Sequence, residues 1–590
     1  MYGDDRVPAS DGASSSEANF VGHGSSPVGP SAAPLGHVIA VSGSQATAQF
    51  AAGLELTVGA LVGIQNSGSL AIGTLCDIFL EKPAGGERGT EAVGRIDLMG
   101  EIVVEKSGER RFQTGVAAYP KLGSLVVGAG SDELRIIFGL ASDSAVEVGC
   151  LRQDASISAT VNVEELVRKH FAIVGSTGSG KSSALALILR KIMQAAGDLH
   201  MLLIDAHNEY AACFGGHAEV FGPANLKLPF WLFSFDELVQ IFFGAQARAE
   251  HEVSLLSQLI PLAKTEYARA KGASRPGYRA VGPDGGGRYT VDTPAPYRLE
   301  DVIAAAESRM GKLENRDLAV QYQRLLMRLD AVRKNPRYAF IFDTDGNDSM
   351  VEVLCQLLRL KDDERPMGII QLAGFPAETV EVIVSVLFRL AFEFSVWSDG
   401  QSPLLIVCEE AHNYANADQS KGFQAAREGL SRIAKEGRKH GVFLGLVTQR
   451  PHQLDATLIS QCSTVFAMRL GHEDDQKIVR SAVSDSASRL LSLLPSLGTR
   501  EALAIGAGVQ TVMHLRFEEL PDACIPRSQA IWGGGLDAAE RLSEQAIATI
   551  VARWRGTEST SKPVVSPAGA GLHADTSGDV MSWAALAHRG

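Results

Sequence analysis

One short stretch restricts what this chain can fold into more than any other: residues 175–182 read Gly-Ser-Thr-Gly-Ser-Gly-Lys-Ser. Glycines at these spacings let successive backbone N–H groups turn inward around phosphate oxygens. The lysine reaches the terminal phosphates and the hydroxyl after it holds a divalent cation. Such a loop works only between a strand and a helix. Phe171-Ala-Ile-Val174 supplies an apolar strand before it. Ser183-Ala-Leu-Ala-Leu-Ile-Leu-Arg190 supplies a helix after it, whose N-terminal dipole favours anions. Gly175, Ser176, Thr177, Gly178, Ser179, Gly180, Lys181, Ser182 and Ser183 are therefore the expected nucleotide cradle, with ATP as ligand and Mg²⁺ on Ser182. A glycine-rich structural turn is the competing reading, and the strand-and-helix setting argues against it.

From about 151 to 525, apolar strand-like runs alternate with helical stretches: His170–Val174, Met201–Asp205, Tyr338–Phe342, Gly368–Leu372, Leu404–Cys408, Val442–Thr448 and Ser463–Met468. Continuous apolar strands alternating with helices predict a parallel sheet covered on both faces, an α/β P-loop ATPase core. Leu404-Leu-Ile-Val-Cys-Glu-Glu-Ala-His412 ends such a strand in two acids, on the edge where the phosphate loop lies. Glu409 is suited to orient Mg²⁺ and Glu410 to polarise the attacking water; two solvated acids at a strand end are the bland alternative. Asp205 also ends a strand, to position a water or to cap the turn that follows. Gln449 ends another, where an amide senses the γ-phosphate or simply bonds backbone. Gly429-Leu-Ser-Arg-Ile-Ala-Lys-Glu-Gly-Arg-Lys-His-Gly441 is strongly basic. Phosphoryl transfer calls for a guanidinium, often from a neighbouring subunit, so Arg438 and Arg432 are both candidates against the alternative of a solvated basic helix face.

At 590 residues the chain is too long for one ordinary domain. Residues 1–35 are rich in Gly, Ser, Ala and Pro and are expected to be disordered. Residues 36–150 hold short β-rich segments, among them His37–Val41, Ala46–Phe50, Ala60–Ile64, Ser69–Gly73, Glu101–Glu105 and Glu133–Phe138. These predict a small β-barrel, with a β-sandwich as the alternative. The ATPase core is expected over 151–235 and 336–530, interrupted by a helical insertion at 236–335 with a Gly/Pro-rich loop at 272–297. A C-terminal helix and flexible tail are expected over 531–590. A net charge of −13, from 55 basic and 68 acidic residues, argues against a DNA-coating protein but not against a motor whose basic groups line a channel. No secretory signal and no run of 18 apolar residues is present; Val380–Trp397 carries Glu381, Arg389 and Glu393 and reads as a core helix. The seven cysteines form no CxxC pair, so no zinc site or disulfide framework is expected, and a cytoplasmic, reducing setting is the simplest one.

With these residues in hand, the chain resembles the HerA family of ATPases, relatives of FtsK, over roughly 36–530. The resemblance rests on Arg168-Lys-His leading into the phosphate loop, Asp205-Ala-His-Asn-Glu-Tyr, Leu228-Pro-Phe-Trp-Leu-Phe-Ser-Phe-Asp-Glu-Leu, Cys408-Glu-Glu-Ala-His-Asn-Tyr, Lys435-Glu-Gly-Arg-Lys-His-Gly and Val447-Thr-Gln-Arg-Pro. It implies that the N-terminal β region is the family's HAS barrel. It also implies a homohexamer with ATP between subunits and double-stranded DNA threaded through the ring. The partner so implied is a NurA-like nuclease in end resection, or a defence effector. A DNA translocase or helicase motor is the leading expectation. A hexameric scaffold whose ATPase gates an effector is the second, and a conjugation-type secretion ATPase the third.

Overall fold

The structure, a computed structural model, describes residues 34–527 and 551–552, apart from 52, 67, 82–90, 141, 245–248, 272–288, 312–315, 344–347, 362–364, 419, 421 and 483–489. The disorder expected up to residue 33 lies outside the described residues, as does the expected C-terminal helix and tail except for 551–552. Residues 34–35, expected to be disordered too, instead open the first strand.

Seven strands come first: β1 (Pro34–Ser42), β2 (Gln45–Phe50), β3 (Leu61–Gln65), β4 (Ser69–Glu81), β5 (Glu91–Val104), β6 (Arg110–Thr114) and β7 (Leu125–Gly128). Their order is β2-β1-β7-β3-β4-β5-β6, and β2 also pairs with β5 from Gln45↔Asp97 to Phe50↔Ala92. That last pairing closes six strands into a barrel, with β6 as a flanking strand, and removes the sandwich alternative. Period-2 alternation drives it: in β2 every second residue, Ala46, Ala48 and Phe50, is buried against Val62, Ile64, Leu75 and Ile96. The segment Glu133–Phe138, expected to be a strand, is instead the C-terminal part of helix α1 (Ser131–Phe138). Its buried apolar residues sit at 134, 137 and 138, a helical spacing that so short a run does not separate from a strand.

The second sheet has eleven strands. They are β8 (Ala145–Leu151), β9 (Ser158–Asn162), β10 (Phe171–Val174), β11 (His200–Asp205), β12 (Ala218–Phe221), β13 (Met367–Gln371), β14 (Leu404–Cys408), β15 (Val442–Thr448), β16 (Thr464–Met468), β17 (Glu501–Gly506) and β18 (Met513–Phe517). The order is β12-β13-β11-β14-β15-β10-β16-β17-β18-β8-β9. From β12 to β16 every pairing is parallel, as expected. From β16 to β9 every pairing is antiparallel, an extension the apolar runs did not foretell. β10 shows why both faces must be covered. Ala172 and Val174 pack into one core with α10 (Ala377–Trp397) and α11 (Gln424–Glu436). Phe171 and Ile173 pack into the other with α3 (Lys181–Ala195) and α2 (Val163–Arg168).

Between β12 and β13 run α4 (Phe235–Phe243), α5 (Glu250–Ala270), α6 (Leu299–Met310), α7 (Arg316–Arg333), α8 (Ala339–Phe342) and α9 (Met350–Leu357). Ser234 and Glu237 form a capping box that starts α4. Buried Glu237 then pairs with Arg389 of α10 at 2.8 Å, tying the helices to the sheet layer. The run Tyr338–Phe342, expected to be a strand, is helical here. Asn335 caps the turn, Pro336 begins it, and Phe340 packs on Phe375 at the edge of the same core. Short apolar runs do not separate strand from buried helix, and the surrounding helices decide this one. After β15 come α12 (Ala456–Gln461) and α13 (Glu473–Ser481). Among the described residues, no helix is long and apolar enough to cross a membrane.

Candidate nucleotide site

The loop Gly175–Gly180 leaves the C-terminal end of β10 and runs into α3. Gly178 and Gly180 have φ values of 75° and 99°, a left-handed backbone that glycine adopts without steric cost. A Cβ on Gly180 would also meet Arg500, so close approach adds to the demand for glycine there. No acidic residue stands in the first turn of α3, so its positive end is not neutralised from within the helix. The loop is pinned from both sides. Ser176 N donates to Arg469 O at 2.8 Å, Gly175 N to Thr448 O at 3.3 Å, and Arg500 N to Ser179 O at 2.8 Å. Arg500 itself adopts φ 65°, a conformation uncommon for a non-glycine residue. Lys181 Nζ donates to Ser176 O at 3.0 Å, across the loop it serves. Burial lowers the Lys181 pKa, while the charges of Glu410, Glu409 and Glu209 oppose that shift.

β14 lies two strands from β10, with β15 between them, and each strand carries its functional residue at its C-terminal end. Gln449 follows β15, and its Oε1 accepts a hydrogen bond from Thr177 Oγ1 of the phosphate loop at 2.6 Å. Its backbone N stands 3.5 Å from Glu410 Oε2 on the other side. The sheet thus brings Lys181, Gln449 and the two glutamates together on one edge.

The glutamates are neighbours in sequence but not in environment. Glu409 accepts hydrogen bonds from Tyr210 Oη at 3.0 Å and Ala206 N at 3.2 Å, and burial plus the Asp205 charge push its pKa up to about 8. Glu410 sits in a left-handed turn at φ 47°, a strained setting of the kind found at functional sites. Burial works against its charge, but the hydrogen bond and charge of His412, together with the charge of Lys181, hold its pKa below the usual value. The two acids are therefore tuned in opposite directions, Glu410 toward the carboxylate and Glu409 toward the protonated acid. Asp205 accepts the N–H groups of Glu209 and Tyr210 at 3.1 Å each, so it caps the turn that carries Tyr210.

The sequence reading did not give a role to Tyr210, His412, Thr448, Arg469 or Arg500. Tyr210 is fully buried, and its hydroxyl reaches both Glu409 and Ser182. Thr448 and Arg469 close off the strands flanking β10, so strand order was the signal needed to find them. His412 follows the glutamate pair and lies 3.2 Å from Glu410 Oε2.

Neither candidate arginine is near this edge. The Arg438 guanidinium donates to the main-chain oxygens of Lys169 and Gln461 and to Ser463 Oγ, just ahead of β10 and β16. At about 3.3 Å per residue, the length of β10 places it at least ~10 Å from its own phosphate loop. Arg432, on α11, stacks on Phe392 at 4.2 Å, faces Glu436 at 3.8 Å and is otherwise exposed.

Residues 146–391 match the model of the helicase HerA central domain. The chain is 25% identical over 439 residues to the DNA double-strand break repair helicase HerA of Pyrococcus furiosus, covering 68% of this chain and 74% of that one. It is 25% identical over 389 residues to the probable helicase MJECL08 of Methanocaldococcus jannaschii, covering 62% and 69%. Among solved structures, VirB4 of Thermoanaerobacter pseudethanolicus overlays 65% of this chain and 99% of its own, at a TM-score of 0.42 and 16% identity. The chain thus carries a region similar to the HerA central domain, built on a P-loop core, and is an ATP-hydrolysing enzyme.

Proposed function

We propose that this enzyme is a motor that moves along double-stranded DNA as a ring, most simply a homohexamer. One observation carries the reading. The chain gathers a phosphate loop, a sensing amide and two differently tuned glutamates on one edge of a sheet, and holds its candidate arginines, Arg432 and Arg438, on the other side. A ring is the arrangement that brings such an arginine to a neighbour's phosphates. The relatives named as DNA repair helicases support double-stranded DNA as the track, and a grip on phosphates would make it salt-sensitive and indifferent to sequence.

In this reading Lys181 and the N–H groups of 175–183 hold the ATP phosphates, and Gln449 senses the γ-phosphate through the loop. Glu410, ionised and aimed by its strained turn, orients the attacking water. Mg²⁺ fits the donor set. Ser182 and Glu409 offer oxygen ligands, Tyr210 steadies both, and among the described residues no cluster of three His, Cys, Asp or Glu exists to hold a metal without phosphates. When bound, Mg²⁺ neutralises charge on the β- and γ-phosphates. Glu409 would hold the ion as its carboxylate, the form that a neighbouring dication favours. Arg432 is the preferred arginine in trans, because Arg438 already spends its donors on three groups of its own chain. A NurA-like nuclease or a defence effector, in a cytoplasmic setting, completes the proposal.

ATP turnover measured with and without linear duplex DNA tests the reading, with stimulation expected and falling as salt is raised. Turnover indifferent to DNA, in a protein that co-purifies with an effector, would point instead to a scaffold whose ATPase gates that effector.

A further inference from the structure

We infer that His412 and Thr448 form a positioning relay that links the phosphate loop to the carboxylate of Glu410. The inference rests on the reading of Glu410 as the group that orients water.

His412 and Thr448 are buried. His412 Nδ1 lies 3.2 Å from Glu410 Oε2 and 3.0 Å from Thr448 Oγ1. An ionised carboxylate only accepts, so the contact with Glu410 requires a proton on Nδ1. Thr448 Oγ1 already accepts the N–H of Arg450 at 3.0 Å, and its second lone pair faces the same ring nitrogen. One N–H therefore stands between two acceptors. What Thr448 takes of it, Glu410 does not.

Thr448 is also the residue through which the phosphate loop is tied to β15. Its main-chain oxygen accepts Gly175 N at 3.3 Å, and the next residue, Gln449, meets Thr177 at 2.6 Å. A shift of the loop around a triphosphate thus moves Thr448 and Gln449, changes how the Nδ1 proton is shared, and resets the direction of the Glu410 carboxylate. Glu410 is sensitive to this control because its other contacts, Gln449 N at 3.5 Å and His207 Nε2 at 3.9 Å, are long and its backbone is strained. His412 and Thr448 are positioning residues here: neither touches the reacting atoms.

The test compares Thr448→Val, which keeps the shape and loses the hydroxyl, with Thr448→Ser, which keeps the hydroxyl. Turnover and the affinity for a fluorescent ATP analogue are measured on the intact protein. Thr448→Val should lower kcat by roughly 10–100-fold, the scale of a misplaced reacting group. Analogue affinity should stay within about twofold and Thr448→Ser should recover most of the turnover. Adding Thr448→Val to His412→Ala should lower kcat no further, because the relay is already cut. Joint loss of affinity and turnover that serine does not recover, or additive effects in the double variant, would overturn the relay in favour of simple packing. Glu410→Gln separates the two levels. If it turns over normally, the water-orienting reading fails; if it is inactive while Thr448→Val is normal, only the relay fails.

Discussion

The two edges of the eleven-stranded sheet differ in what they do with charge. At the C-terminal ends of β11 and β14 the chain buries acids, Asp205, Glu409 and Glu410, beside a loop rich in N–H groups, and tunes the two glutamates apart by burial and hydrogen bonding. At the N-terminal ends of β10 and β15 it places cations, and one of them, Arg438, is held by main-chain oxygens of Lys169 and Gln461. Burying a lone acid is expensive, and the acidic edge tolerates it only because loop N–H groups, Tyr210 and Lys181 share the load. The basic edge stays largely at the surface, where Arg432 rests on Phe392 and faces Glu436. In the proposed reading one edge receives a phosphate and the other reaches for one, and the two lie on opposite sides of a single copy.

The largest effect expected on this contrast comes from the receiving edge: Lys181→Ala should take ATP turnover below detection, with subunit assembly, read by light scattering, unchanged. Arg432→Ala follows, with kcat down by roughly 10³–10⁵, the range for an arginine supplied in trans, and nucleotide affinity largely kept. Normal turnover in that variant would shift the role to Arg438. Glu410→Gln should lower kcat by about 10²–10⁴ while retaining ATP, seen as stoichiometric unhydrolysed nucleotide after gel filtration. Arg438→Ala should act on stability first, lowering unfolding free energy by about 1.5–3 kcal/mol in denaturant melts as three acceptors lose a charged donor.

The smallest effect concerns pH. The folded-state pKa of Glu409 is raised to about 8, so the stability of the nucleotide-free protein falls as pH climbs from the ordinary carboxylate value through that point. Glu409→Gln removes this loss. Its Tm should match the parent near pH 4 and exceed it by about 2–4 °C at pH 8. A gain that is flat with pH would refute the tuning.

Much of the receiving edge was legible because its chemistry is written contiguously. The loop 175–182 and the strand ending in Glu409-Glu410 are local patterns with one workable setting, and Gln449 stands out as a polar residue ending an apolar run. The supporting contacts were not legible. Thr448 reaches His412 only because β15 lies between β10 and β14, and Tyr210 reaches Glu409 only because Asp205 bends the intervening turn. Barrel closure is hidden for the same reason, since β2 and β5 are far apart in sequence and only their pairing tells barrel from sandwich. Glu133–Phe138 and Tyr338–Phe342 were misread as strands because a few apolar residues fit both periods until their neighbours are known. The place of Arg438 was concealed too: its sequence shows a basic cluster, not the carbonyls that hold it.

The central claim is that a catalytic site needs the receiving edge of one copy and the reaching edge of another. Mixing two inactive variants, Lys181→Ala and Arg432→Ala, under distinct tags tests it most directly. In mixed assemblies some interfaces pair an intact Lys181 with a neighbour's intact Arg432, so ATP turnover should reappear and peak at intermediate ratios. Mixed assemblies that co-purify under both tags yet stay inactive at every ratio would contradict the account.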